Sequence, residues 1–133
     1  MASLRKEIHI DAPVTLVWGA LRDVGALHTK LVPGFVTDTR MDGNARIVTF
    51  GNGMVAREEI VSIDDRRHRV CWAILDEPFR HYSAAAWVEP EGDGARFIWA
   101  VDLLPDELAG RVEGMMNAGV ECIRKTLEST AAN

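Results

Sequence analysis

Glu58 is the residue of this sequence with the clearest potential for chemistry inside a protein. Alternation along a predicted strand puts it on one face with three apolar or small side chains, those of Met54, Ala56 and Ile60. If that face points inward, an apolar cavity surrounds the carboxyl group, and burial favours its neutral form, as general acid or base catalysis requires. The alternative is an ion pair between Glu58 and Arg46 on a neighbouring strand.

His28 is a second candidate, because it precedes the Pro33-Gly34 turn at the expected mouth of such a cavity. An imidazole there is able to protonate a ligand or to hold its carboxylate. The alternative is a surface histidine without a role, since loops carry many such residues.

Metal and cofactor motifs are missing from the sequence. The histidines and the two cysteines have no metal-ligand spacing, and no serine lies in a nucleophile elbow. The segment Gly51 to Ala56 matches a dinucleotide fingerprint, but its Asn52-Gly53 pair favours a hairpin over the helix that the fingerprint needs. We therefore expect neither a metal nor a cofactor.

Composition indicates a soluble chain that folds as one domain over residues 1–133. The net charge of -5 argues against a nucleic-acid partner, and 47% hydrophobic residues are enough for a core. Two cysteines and a charged, alternating N-terminus without an apolar signal core favour a cytoplasmic protein. No segment approaches the roughly 20 apolar residues of a membrane span.

Turn signals at short, regular spacing divide the middle of the chain into strands. Five segments rich in Gly, Asp, Asn or Pro separate runs of β-branched and aromatic residues, at 42–44, 51–53, 64–66, 76–78 and 92–94. These turns join six strands, and the alternating segment Leu4 to Ile10 adds a seventh. Short connections favour antiparallel neighbours. Helical spacing between Pro13 and Pro33 predicts two short helices between strands 1 and 2.

After Pro105 the periodicity becomes helical. One apolar stripe runs along this segment, formed by Leu108, Val112, Met115, Met116, Gly119, Val120, Ile123 and Leu127. A long amphipathic helix must bury its stripe, and the concave face of a twisted sheet is the only large surface available. The sequence therefore predicts an α+β fold, with a seven-stranded curved antiparallel sheet wrapped around a long C-terminal helix.

Strand parity predicts which side chains face the helix. Trp72 and Ile74 share a face of the fifth strand, and Phe97 and Trp99 share a face of the seventh. Because a strongly curved sheet and one helix cannot close fully, we expect these residues to line a cavity. Met116 and Val120 are the residues predicted to line it from the helix.

The element order and several motifs resemble the START-like superfamily, also called SRPBCC, in its polyketide cyclase/dehydrase and lipid-transport branch. These motifs are Ala12-Pro13-Val14 with Val17-Trp18, Gly43-Asn44-Ala45-Arg46, Glu58-Glu59-Ile60 with Asp64-Asp65, and His81-Tyr82 to Pro90 with Gly94 and Trp99. The resemblance implies a helix-grip fold with an internal cavity for a hydrophobic ligand. It also favours the face with Tyr82, Ala84 and Ala86 as the inner face of the sixth strand, where the alanines leave space.

Plant abscisic-acid receptors share the pattern around Arg46, Glu58 and Tyr82. In those receptors the residues that match Glu58 and Tyr82 line the hormone pocket. This sequence has no lysine between Leu31 and Asn44, where the receptors carry a lysine that pairs with the hormone carboxylate. The resemblance therefore implies the cavity and not the hormone.

Three functions follow from this pattern. The first is a carrier or sensor that binds a small hydrophobic or amphipathic molecule, and the missing nucleophile, metal and cofactor motifs favour it. The second is a cyclase/dehydratase-type enzyme, in which Glu58 moves protons together with Tyr82 or His28. The third is a protein-interaction module without a ligand, which an exposed Trp87 would support. The pattern specifies no oligomeric state.

Overall fold

The computed structural model describes residues 1–133 and contains seven strands and two α-helices. Strand β1 (Ala2–Ile10) leads into helix α1 (Val14–Arg22), a 3-10 turn (Val24–Ala26) and a π-helical turn (Leu27–Leu31). Six strands follow: β2 (Val36–Asp42), β3 (Ala45–Phe50), β4 (Val55–Asp64), β5 (Arg69–Ala73), β6 (His81–Glu91) and β7 (Gly94–Leu104). A 3-10 turn (Asp106–Leu108) then opens helix α2 (Ala109–Ala132).

The seven strands form one antiparallel sheet in the order β1-β7-β6-β5-β4-β3-β2. Each of the five predicted turns joins two strands that pair directly, as short connections require. Register shifts in β2 after Val36 and in β4 after Ile60 bend these strands, since a bulge adds curvature and twist. The predicted helix-grip architecture is confirmed, with α1 and the two short turns between β1 and β2.

The inner face of the sheet packs against α2 and carries the hydrophobic core. Strand parity predicted this face correctly: Trp72 and Ile74 in β5, and Phe97 and Trp99 in β7, are all buried. In β6 the buried face is the one with Tyr82, Ala84 and Ala86, as the family pattern implied. The long helix buries Val112, Met116, Gly119, Val120, Ile123 and Leu127.

The outer face of the sheet carries Trp87 between two cationic side chains. The guanidinium carbons of Arg5 and Arg69 lie 5.3 and 5.8 Å from the centre of its ring. Trp87 is half-buried, and its indole N–H donates to Glu89 at 3.3 Å. Trp18 of α1 also has a partner, the carboxylate of Asp65 at 3.0 Å. Trp72 and Trp99 thus differ from these two in lying on the inner face.

None of the helices combines the length and the apolar composition that crossing a membrane requires.

Candidate functional site

A cavity of about 560 Å³ lies between α2 and one end of the sheet, and we call it the outer cavity. Its lining consists of Gly34, Phe35, Phe50, Gly51, Asn52, Met54, Ala56, Glu58, Ile74, Pro78, Phe79, Tyr82, Leu108, Arg111, Val112 and Met115. Gly34, Asn52, Pro78 and Arg111 are exposed, so the mouth lies where three loops meet the start of α2.

A smaller cavity of about 60 Å³, the inner recess, continues from the outer cavity into the core. It is lined by Leu21, Leu27, Leu31, Val32, Phe35, Val36, Arg46, Phe50, Glu58, Trp72, Tyr82, Ala86, Phe97, Trp99, Met115, Gly119 and Ile123. Five residues line both cavities and stand where they meet: Phe35, Phe50, Glu58, Tyr82 and Met115. A wide apolar space therefore narrows inward to a small space with polar groups in its wall.

Glu58 points inward and at the same time pairs with Arg46, so both sequence interpretations hold together. The two residues face each other across β3 and β4, and Arg46 Nε donates to Glu58 Oε1 at 2.7 Å. Both are buried, with 5% and 7% of their surfaces exposed. Arg46 also donates to the carbonyl of Val24 at 3.3 Å and lies 5.3 Å from the ring centre of Trp72. The charge of Glu58 is thus compensated inside the protein.

Tyr82 presents its phenol to the same place without a hydrogen-bond partner in the protein. Burial raises the pKa of Tyr82 well above its ordinary value of 10.0, and the negative charge of Glu58 raises it further. The side chain is therefore a neutral phenol at physiological pH, able to donate or accept a hydrogen bond.

Trp72 and Trp99 contribute two further donors to the wall of the inner recess. Their ring centres are 6.3 Å apart, and neither indole N–H has a hydrogen-bond partner in the protein. The ring of Trp99 lies against α2 at Gly119, where a Cβ atom would stand 2.8 Å from Trp99 Cζ3. Glycine at this position is what allows the helix to approach the sheet so closely.

Seven of the ten residues predicted to contact a ligand line one or both cavities. Glu58 and Tyr82 line both, Ile74 lines the outer cavity, and the inner recess is lined by Trp72, Ala86, Phe97 and Trp99. Ala84 lines neither, although it is buried. It lies between Trp72 of β5 and Val101 of β7, whose larger side chains flank it on the same face.

Met116 and Val120 also line neither cavity, which corrects the prediction made for the helix. Both are buried, at 0% and 7% exposure, on the side of α2 where the core is solid. The helix packs closely against β1, and neighbouring residues of a helix point about 100° apart. Met115 therefore faces the cavities, and Met116 does not.

His28 lies in the π-helical turn and is not part of either lining. Its side chain is half-buried, and Nδ1 is enclosed without a hydrogen-bond partner. The expectation that His28 stands at the mouth is wrong, because the loop that reaches the mouth begins later, at Gly34 and Phe35. The structure thus brings Glu58 and Tyr82 together and leaves His28 apart.

Three phenylalanines in the lining were missed by the sequence analysis: Phe35, Phe50 and Phe79. Phe35 and Phe50 make an edge-to-face contact with ring centres 5.7 Å apart, and Phe79 lies 4.8 Å from the ring of Tyr82. Each follows or precedes a Gly or Pro turn residue in the sequence, namely Gly34, Gly51 and Pro78. An aromatic residue beside a turn at the open end of a curved sheet was the signal available.

The fold is shared with proteins of known structure that are distant in sequence. The Bacillus cereus protein XoxI has a TM-score of 0.85 at 14% identity, over 96% of both chains. A START superfamily protein from Mycobacterium smegmatis has a TM-score of 0.74 at 12% identity, over 98% of this chain and 97% of that one. The major latex-like protein 151 of Panax ginseng has a TM-score of 0.75 at 18% identity, over 95% and 97%.

No curated protein matches the chain in sequence. The model of one protein family, described as polyketide cyclase / dehydrase and lipid transport, matches residues 1–133. With the helix-grip fold, that match shows that the chain belongs to the polyketide cyclase/dehydrase and lipid-transport family.

Proposed function

We propose that residues 1–133 form one binding domain that takes up a small, largely apolar molecule and acts as a carrier or a sensor. The observation that carries this proposal is the outer cavity, whose 560 Å³ lies in the range of small-molecule sites. Ten of its sixteen lining residues are hydrophobic, and the few polar groups are gathered at its inner end and at its mouth. An apolar wall with a few placed polar groups is typical of ligand pockets.

The positions of the polar groups favour binding over the cyclase/dehydratase alternative. Glu58 is the only carboxylate in either lining, and Arg46 holds one of its oxygens at 2.7 Å. The raised pKa of Tyr82 opposes its use as a base. His28, the third residue that this alternative invoked, lies outside both linings.

The interaction module has less support from the outer face of the sheet. Trp87, the residue expected to anchor a partner, is half-buried between Arg5 and Arg69. A ring with cations close to it offers a partner less free aromatic surface than an open tryptophan does.

A filled outer cavity tests the proposal. Ala56 lies in the lining on β4, while its neighbour Val55 is 63% exposed and points away from the cavity. We expect the wild type to bind the neutral fluorophore N-phenyl-1-naphthylamine at one saturable site. Ala56→Phe should weaken binding at least about tenfold, which corresponds to about 1.4 kcal/mol.

Val55→Phe is the matched control, because it adds the same ring to the same strand outside the cavity. It should bind the fluorophore as the wild type does, with both variants checked for folding by thermal melting. Equal affinities in all three proteins, or binding that never saturates, would refute the proposed site.

A further inference from the structure

The inner recess contains more hydrogen-bond donors than the protein itself satisfies. Trp72 and Trp99 are buried, at 6% and 9% exposure, and both indole N–H groups are enclosed without a partner. Buried donors nearly always have a hydrogen-bond partner, so each exception calls for an explanation. The other two tryptophans, Trp18 and Trp87, do have carboxylate partners.

The acceptor nearest in kind is already engaged. Glu58 receives its hydrogen bond from Arg46, and no side chain of the protein turns a carbonyl or carboxylate toward the two indoles. Tyr82 is the only other polar side chain in the lining of the recess. The recess therefore has two unmatched donors in a wall whose charges cancel.

The size of the recess limits what can enter it. Its 60 Å³ is about twice the volume that one water molecule occupies in the liquid, so a terminal group of two or three heavy atoms fits. The body of a larger molecule must then stay in the outer cavity, and the two spaces meet at Glu58, Tyr82 and Met115. A ligand that fills both has one small end in contact with the polar wall.

We propose that this end of the ligand is a neutral hydrogen-bond acceptor, such as a ketone or ester carbonyl, held by the indole N–H groups of Trp72 and Trp99. The inference rests on the proposed function and specifies its ligand. A carbonyl oxygen has two lone pairs, enough to accept from both donors. A hydrocarbon end would leave both donors unpaired.

The ion pair argues for a neutral acceptor over an anionic one. Glu58 already compensates the charge of Arg46, so a second carboxylate in the recess would find no free cation. It would also meet the negative charge of Glu58 in a desolvated space, where an unpaired charge is costly. Arg111 is a cation without a carboxylate partner in the lining, but it is exposed at the mouth, where the other end of the ligand lies.

Three naphthalenes of the same shape test this inference by calorimetry. They are 2-acetylnaphthalene with a ketone, 2-isopropylnaphthalene with an apolar group of the same size, and 2-naphthoate with a carboxylate. We expect the ketone to bind about fivefold more tightly than the hydrocarbon. The carboxylate should be the weakest of the three.

Variants of the two indoles show whether they cause the preference. Trp72→Phe and Trp99→Phe should each reduce the ratio of ketone to hydrocarbon affinity toward one, and the control Trp87→Phe should leave that ratio unchanged. A ratio measured within one protein is insensitive to a general loosening of the core. If a variant does not fold, the wild type alone gives a second readout, because its four indole N–H groups give separate NMR signals. The signals of Trp72 and Trp99 should move downfield with the ketone and not with the hydrocarbon.

Equal affinities for ketone and hydrocarbon with unmoved indole signals would overturn this inference and leave the proposed function standing. Tightest binding of 2-naphthoate would overturn the neutral acceptor. Failure of all three to bind, together with failure of N-phenyl-1-naphthylamine, would overturn both proposals.

Discussion

Arg46 and Glu58 place a charged pair where most proteins of this size carry apolar side chains. The pair joins β3 to β4, with 6% and 9% of the two side chains exposed. A buried pair of this kind adds little net stability, because the desolvation of two charges offsets their attraction. Loss of one partner is a different matter, since the remaining charge is then buried alone.

A double-mutant cycle on this pair should show strong coupling. We expect Arg46→Met and Glu58→Leu to lower the free energy of unfolding by about 3–5 kcal/mol each. The variant with both substitutions should lose much less than their sum, because no unpaired charge remains. Urea unfolding monitored by circular dichroism measures all four proteins. Additive losses would mean that the two charges do not compensate each other.

Tyr82 allows a direct optical measurement, because it is the only tyrosine of the chain. Burial and the nearby Glu58 raise its pKa above 10.0, so the folded protein should show no tyrosinate absorbance at 295 nm at pH 10. The phenol ionises more readily in the unfolded chain. The stability it contributes is therefore complete below pH 10 and falls as the pH rises beyond it. Half-formed tyrosinate at pH 10 in a protein that is still folded would contradict the burial of Tyr82.

At the scale of elements, α2 contains glycines with opposite roles. A Cβ atom at Gly119 would stand 2.8 Å from Trp99 Cζ3, whereas one at Gly114 would meet nothing within 4 Å. The sequence presents both as equivalent glycines in a helical pattern. Their difference arises from which side of the helix faces the sheet, and that side depends on tertiary packing.

Alanine at these two positions should change stability in opposite directions. Gly114→Ala should raise the free energy of unfolding by about 0.5–1 kcal/mol, because alanine favours the helix and nothing obstructs it. Gly119→Ala should lower it by about 1–3 kcal/mol, since the added methyl group displaces the ring of Trp99. Thermal and urea unfolding of the two variants beside the wild type measure this. Stabilisation by both would show that the helix does not lie against Trp99.

The strands were predictable because each turn is marked in its own sequence. Gly43 and Gly53 adopt positive φ values of 62° and 88° in the hairpins predicted around them. Asn52 accepts a hydrogen bond from the backbone of Met54, which adds a local reason for the turn. Period-two alternation then predicted the inner faces of β5 and β7, because it depends only on the strand itself.

For the molecule as a whole, the site was predicted on the sheet and partly missed elsewhere. Glu58, Trp72 and Trp99 lie in the linings as strand parity indicated. The choice of Met116 over Met115 failed because a broad apolar stripe does not reveal how far a helix is rotated against its sheet. Phe79 was missed because a loop has no periodicity from which its direction can be predicted.

The distribution of the four tryptophans also bears on how this protein can be observed. Two of them border the recess, and the other two, Trp18 and Trp87, lie elsewhere with carboxylate partners. A chain in which only those two are replaced by phenylalanine would emit its ultraviolet fluorescence solely from the chamber wall. Occupancy would then be legible in the colour and lifetime of that light, without a dye and without knowing in advance which molecule has entered.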